Sequence, residues 1–220
     1  LTATLTSAPT ELKPNQVTSR KQKSTKIQTV IIGCGIAGLA CAKSLLKRGH
    51  NIQLIDKAPT PIAGASSINQ MAVYPHISVQ PDPFSLFSLS AFQYSLRENH
   101  AELCGYTRYA NNEAEAKRLQ RVSNYFSNAF ITCETVGDSF SLTYKRGSWL
   151  NVGDAYAGTR EQVSIKTELE ITKIVKSKNG WNLFDTEDNF VCESSNVICA
   201  TGHSNLEILA PIGLNSNRGQ

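Results

Sequence analysis

Gly33-Cys34-Gly35-Ile36-Ala37-Gly38 narrows what this chain can fold into more than any other stretch of it. The three glycines follow a short apolar run, Val30-Ile31-Ile32, and precede a segment whose Leu39, Leu45 and Leu46 suit one face of a helix. Gly49 supplies a stop, and Ile52-Gln53-Leu54-Ile55 resumes as a strand closed by Asp56. The pattern is a βαβ unit, and each residue in its first turn has a physical reason. Gly33 permits the tight turn, Gly35 lets backbone approach a pyrophosphate with no Cβ in the way, and Gly38 lets the helix lie close to the sheet. Ile36 and Ala37 would offer N–H groups at the positive end of the helix dipole. Asp56, with Lys57 beside it, would accept hydrogen bonds from an adenosine ribose, so the expected ligand is a dinucleotide.

FAD and NAD proteins share this unit, and two later features favour FAD. Gly64-Ala65-Ser66-Ser67-Ile68-Asn69-Gln70 follows the second strand closely, bringing small residues, hydroxyls and amides to where an extended cofactor would continue. Gly64, Ala65, Ser66, Asn69 and Gln70 are the candidates there. Strand-like segments follow at 163–167, 169–176, 181–185 and 189–193, with Asn179-Gly180 as a hairpin turn. The last strand, Asn196 to Ala200, ends in Thr201-Gly202, where Gly202 would let backbone meet the cofactor a second time.

Between these parts the chain reads as helical. Phe84, Phe87, Leu89, Ala91, Phe92 and Leu96 form one pattern, and Leu119, Val122, Phe126 and Ala129 form another behind Glu113 and Glu115. Their aromatic faces are expected to be packed, and Lys117, Arg118 and Arg121 to be solvated. A short helix is expected behind Asn151 as N-cap.

Composition excludes several other classes. The net charge of +4 comes from 22 basic and 18 acidic residues, and residues 1–28 alone carry five basic side chains against one acid. A globally basic nucleic-acid binder is not indicated. The longest apolar run, Val30 to Ala42, is shorter than the roughly 18 residues of a membrane span. The six cysteines show no CxxC and read as reduced thiols, with Cys199 in a buried strand. The four histidines lack metal spacing, so no metal is expected; His76 carries no signal and His203 reads as a surface residue. No signal peptide is visible, which gives a cytoplasmic address. The chain starts without Met and ends at Arg218-Gly219-Gln220 with no closing pattern, and reads as a piece of a longer protein.

The glycine turn, Gly64-Ala65-Ser66, the short strands and Ala200-Thr201-Gly202 together resemble the D-amino-acid oxidase type of FAD-dependent oxidoreductase, the family of glycine and sarcosine oxidases. Asn69-Gln70, Tyr74-Pro75, Gly147-Ser148-Trp149-Leu150 and Gly202-His203 are similar to its tRNA-modifying branch. Asp56 stands where FAD members more often carry glutamate. The resemblance covers residues 27 to 220 and implies an α/β fold: a Rossmann-like FAD-binding domain interrupted by a substrate subdomain, truncated at its C-terminus. Residues 1–28 would be a disordered basic linker and 29–220 a partial oxidoreductase domain. Within it, 29–80 and about 150–205 would bind FAD, and about 81–149 would be the helical, substrate part.

The activity implied is FAD-dependent oxidation of a secondary amine, removing the carboxymethyl group of carboxymethylaminomethyl-uridine at the tRNA wobble position. tRNA would be the substrate of the parent enzyme, in which a methyltransferase domain would precede residue 1. Two alternatives stand beside it: a free amino-acid or sarcosine-type oxidase, and a nucleotide- or tRNA-binding piece with no activity of its own. No catalytic acid or base can be named from the residues.

Overall fold

The computed structural model describes residues 27–80, 82–98, 102–126, 129–136 and 139–202. The expected linker up to residue 26, His100, His203 and the closing Arg218-Gly219-Gln220 lie outside the described residues.

The βαβ unit forms as the sequence predicts. Strand β1 (Thr29–Ile32), helix α1 (Ile36–Leu46) and strand β2 (Ile52–Ile55) follow one another, and β1 and β2 pair in parallel with Ile31 opposite Leu54. All four residues of each strand are buried, as parallel strands covered on both faces require. Helix α1 presents Gly38, Leu39 and Ala42 to the sheet, where Leu39 packs with Ile31 and Leu54, all three without solvent exposure. Each such side chain contributes about 1.5–3 kcal/mol by burial.

After β2 the chain makes a single 3-10 turn at Gly64–Ser67 and enters a long insertion. The insertion contains β3 (Met71–Val73), α2 (Pro83–Glu98), β4 (Glu102–Leu103), β5 (Tyr106–Tyr109), α3 (Glu113–Tyr125), β6 (Ile131–Val136), β7 (Ser139–Tyr144) and β8 (Ser148–Leu150). It is therefore not purely helical. One antiparallel sheet has the order β3-β8-β4 and presents Leu150 to the α1 core. A second, β5-β7-β6, is covered by α3 around Leu119, Val122, Ile131 and Leu142. Several of these strands give little sequence signal because they are short, as in Met71–Val73, or rich in polar residues, as in Tyr106-Thr107-Arg108-Tyr109.

Both helices depart from their expected form. Asn112 caps α3 by accepting the Glu115 N–H at 2.9 Å, but the helix ends at Tyr125, short of Ala129, because Phe126 turns extended to feed β6. In α2 the Asp82 carboxylate caps the start, accepting the N–H groups of Phe84 and Ser85 at 3.0 Å, and these bonds hold its pKa below the usual carboxylate value. Only Ser85 and Phe92 of α2 are buried, while Phe84 and Phe87, expected in the core, are 62% and 69% exposed. Helix α2 is tied at its end, where Lys43 of α1 donates to the Glu98 carbonyl at 2.7 Å and Lys47 pairs with the Glu98 carboxylate, and nearer its start, where Ser88 Oγ accepts the His76 N–H at 2.8 Å. Lys117 and Arg121 are exposed as expected, and Arg118 is half-buried beside Glu115.

The chain then returns through α4 (Val152–Ala155), α5 (Ala157–Gln162), β9 (Ser164–Lys166), β10 (Ile171–Ser177), β11 (Gly180–Asp185), β12 (Phe190–Ser194) and β13 (Asn196–Cys199). Asn151 caps α4 as expected, accepting the Asp154 N–H at 3.1 Å. The main sheet has the order β13-β1-β2-β9, all parallel. The segment at 163–167 thus joins the main sheet, and β10-β11-β12 alone form the antiparallel meander. The meander covers the face opposite α1 through Ile171 and Leu183, which pack with Val30, Ile32 and Ile55. The expected turn at Asn179-Gly180 is shifted by one residue, since Ser177 pairs with Gly180. A Cβ on Gly180 would lie 2.2 Å from the Ser194 carbonyl oxygen, so this glycine serves close strand approach rather than the loop. Cys199 is only partly buried, because β13 is at the edge of the sheet among the described residues.

Candidate functional site

Strand order reverses between β1 and β13: from β1 the chain progresses outward to β2 and β9, then returns to the other side of β1. In open parallel sheets the crevice at the carboxyl ends of such strands is where ligands bind. A cavity of about 590 Å³ lies there. Of the candidate residues, Gly33, Gly35, Ile36, Ala37, Asp56, Lys57, Gly64, Ala65, Ser66 and Gly202 line it. Gly38, Asn69 and Gln70 do not; Gly38 is buried under the turn, and the two amides are exposed.

The glycine turn is locked from several sides. Gly33 has φ +109°, and a Cβ there would lie 2.4 Å from the Ala200 carbonyl oxygen, so β13 can approach only a glycine. A Cβ on Gly38 would lie 1.9 Å from the Gly33 carbonyl oxygen, which fixes how closely α1 sits on the turn. Gly35 is the N-cap of α1 and offers no side chain, so the Ile36 N–H donates instead to Ser66 Oγ at 3.0 Å. The helix ladder leaves the N–H groups of Ala37 and Gly38 at this end. Ile62 donates its N–H to the Cys34 carbonyl at 3.1 Å and adopts φ +64°, a costly conformation for a β-branched residue. Its side chain packs on the α1 core, which holds that loop over the turn.

Asp56 is engaged with the protein itself. Its Oδ2 accepts the Cys34 N–H at 2.5 Å and its Oδ1 accepts the Ala58 N–H at 2.8 Å. A carboxylate has about four acceptor sites, so both oxygens retain capacity for further donors. Burial, reinforced by the charge of Asp56, pushes the Cys34 thiol up to about 12. The ordinary thiol value is 9.0, so Cys34 stays protonated and inert at neutral pH. We expect maleimide at pH 7 to label exposed Cys104 and Cys133 and to spare Cys34 until the protein unfolds, as peptide mass mapping would show. Because the folded value is the higher one, stability from this group is complete below the unfolded value and is lost as pH rises from about 9 to about 12. Replacing Cys34 by alanine should remove that alkaline component from the unfolding profile; a profile that keeps it would place the titration elsewhere.

The sequence did not single out one wall of the cavity. Leu169, Glu170 and Ile171, at the corner between β9 and β10, line it, and Glu170 Oε1 lies 3.1 Å from Lys57 Nζ. The only local signal was an acidic-apolar stretch, Glu168-Leu169-Glu170, running into the expected strand at 169–176. Among the described residues no group of His, Cys, Asp and Glu could hold a metal ion, and no helix is long and apolar enough to cross a membrane.

The model of the family described as FAD dependent oxidoreductase matches residues 28–219. The tRNA 5-methylaminomethyl-2-thiouridine biosynthesis bifunctional protein MnmC of Leptospira interrogans is 27% identical over 215 residues, covering 88% of this chain and 33% of that protein. Its namesake in Shewanella amazonensis is 24% identical over 208 residues, covering 81% of this chain and 30% of that protein. The chain therefore spans about a third of the length of the curated relatives it matches. Among solved structures, glycine oxidase from Geobacillus kaustophilus has a TM-score of 0.67 at 20% identity, covering 86% of this chain and 58% of that one. L-amino acid deaminase from Proteus vulgaris has a TM-score of 0.63 at 12% identity, covering 86% and 50%. These structures share the fold.

Proposed function

Since the chain belongs to the FAD-dependent oxidoreductase family, we propose that its cavity holds the ADP half of FAD and that the protein oxidises a secondary amine on tRNA. The residues present fit the cofactor. Glycine backbone and first-turn N–H groups form the wall a diphosphate needs, and Ile32, Ile55, Leu169 and Ile171 form an apolar wall suited to a flat ring. The observation that carries the reading is the convergence of the glycine turn, Ser66 and Asp56, remote in sequence, on one cavity.

When bound, FAD supplies the acceptor for the hydride of an N-substituted glycine, whose imine then takes up water and releases glyoxylate. The chain's own residues bind and orient. Ala37, on the cavity wall at the start of α1, offers its N–H group to the diphosphate. Ser66 accepts the Ile36 N–H and keeps its hydroxyl proton to donate to a phosphate oxygen. Asp56 holds the Cys34 N–H, which fixes the turn, and turns its remaining lone pairs to the ribose hydroxyls. Thr201 and Gly202, with φ +62° at the glycine, bring backbone to the same cavity from the end of β13. Holding the cofactor in one orientation matters because rate falls steeply as reacting atoms leave alignment.

What supports tRNA as the substrate is the similarity to the tRNA 5-methylaminomethyl-2-thiouridine biosynthesis proteins over 81–88% of the chain. On this reading the group attacked is the carboxymethylaminomethyl substituent of a wobble uridine, and the enzyme works in the cytoplasm. The full-length protein is expected to purify yellow and to release glyoxylate from tRNA bearing that group far faster than from N-methylglycine or glycine. Comparable kcat/KM values for the free amino acids would overturn the tRNA assignment. A protein that takes up no FAD would overturn the whole reading.

A further inference from the structure

We infer that Glu170 decides which adenosine ribose this cavity accepts: it neutralises Lys57 and, together with Asp56, gives that end of the cavity an anionic rim that excludes a 2′-phosphorylated ribose. The inference rests on the placement of the ADP half proposed above.

The corner that carries Glu170 is fixed to the end of β2 by backbone bonds. Asp56 donates its N–H to the Lys166 carbonyl at 2.9 Å, Leu169 donates to the Asp56 carbonyl at 3.1 Å, and Glu168 donates to the Ala58 carbonyl at 3.0 Å. Glu168 takes φ +55°, which turns the chain sharply so that Leu169 and Glu170 become cavity wall. Glu170 therefore stands at a set position beside the two residues that close β2.

Lys57 is the one cation among the described residues of the cavity wall, and its Nζ lies 3.1 Å from Glu170 Oε1. With side chains 47% and 34% exposed, the pair adds little to folding stability. Its consequence is for the ligand. A basic side chain near the end of the second strand is what a dinucleotide site uses to accept a 2′-phosphate, and here that charge faces a carboxylate. Among the described residues of the rim, Asp56, Glu170 and Lys57 sum to one net negative charge. Plain ribose hydroxyls donate to such a rim, whereas a phosphate dianion is repelled by it. Removing the Glu170 charge leaves Lys57 to offset Asp56 and lifts that repulsion.

The test uses the full-length protein with ADP and 2′-phospho-ADP as competitors that displace FAD, read by flavin fluorescence. Wild type is expected to bind ADP about tenfold or more tightly than 2′-phospho-ADP. Glu170→Gln should shrink that ratio by about tenfold without changing Tm, and adding Lys57→Met should restore it. A packing role for Glu170 would move Tm or both affinities together and leave the ratio alone. Intact FAD binding with a ratio unchanged by Glu170→Gln would overturn the inference and leave the proposed function standing. Failure of wild type to bind FAD and ADP would overturn both.

Discussion

Gly38→Ala is expected to destabilise the protein by more than about 3 kcal/mol, because the new methyl meets backbone rather than a side chain that can swing away. Its Cβ would lie 1.9 Å from the Gly33 carbonyl oxygen and 3.0 Å from the carbonyl carbon. That peptide cannot retreat. Its N–H, that of Cys34, is bound to Asp56 Oδ2 at 2.5 Å, the Gly33 N–H before it is bound to the Ile55 carbonyl at 2.8 Å, and β1 is buried between β13 and β2. The helix must lift instead, opening the contacts of Leu39 and Ala42 with Ile31 and Leu54. For a domain of this size the loss corresponds to a fall in Tm of roughly 6–12 °C. Thermal unfolding followed by circular dichroism on the flavin-free protein measures it, and an unshifted Tm would refute the packing argument.

Gly35→Val should do the reverse, sparing the fold and abolishing flavin retention. The added Cβ would lie 3.0 Å from Ser66 Oγ, the tip of a short side chain that can yield by a few tenths of an ångström. The two further methyls have only the cavity to occupy, at the place where the N–H of Ile36 already meets Ser66. A loss of about 3 kcal/mol or more in cofactor binding is a factor of roughly 100 or more in Kd. Flavin absorbance remaining with the protein after gel filtration is the readout. Undiminished flavin would mean that the diphosphate lies away from this helix. The two glycines stand three residues apart, and the variants separate what holds the sheet together from what holds the ligand.

Why some of this could be read from the sequence and some not follows from the range of the interactions involved. The β1-α1-β2 unit is specified locally: apolar strands, glycines at fixed offsets and a terminal acid each act within a few residues of one another. Asn151 announced its helix in the same way, by a side chain placed to accept an N–H three residues on, and Asn112 carried the same signal unread. The cavity's other walls depend on partners far along the chain. Nothing near Ser164-Ile165-Lys166 reveals that it pairs with Gln53-Leu54-Ile55 rather than with the meander, because strand patterning reports burial and not the identity of the neighbour. Glu170 was missed for that reason, since its place beside Lys57 is set by where β9 lands. The exposed Phe84 and Phe87 mark the opposite limit: helical periodicity gives a face, and tertiary context decides whether that face is covered.

The position of β13 also governs how the chain is made. β1 leaves the ribosome ahead of β2 and finds it after a short helix, yet its partner on the other side, Asn196 to Cys199, comes about 160 residues later. At about 5–20 residues per second, one edge of the central strand waits roughly 10–30 s without its partner during synthesis. Throughout that interval Val30, Ile31 and Ile32 form a nascent, apolar strand edge of the kind that chaperones shield and that pairs with neighbouring chains when left uncovered. The strand that joins β1 also extends the pocket, since Cys199 pairs with Ile32 and leads directly into Ala200, Thr201 and Gly202. Ligand capture thereby waits for β13, and the nascent chain lacks the wall at Ala200, Thr201 and Gly202 until that strand has paired with β1.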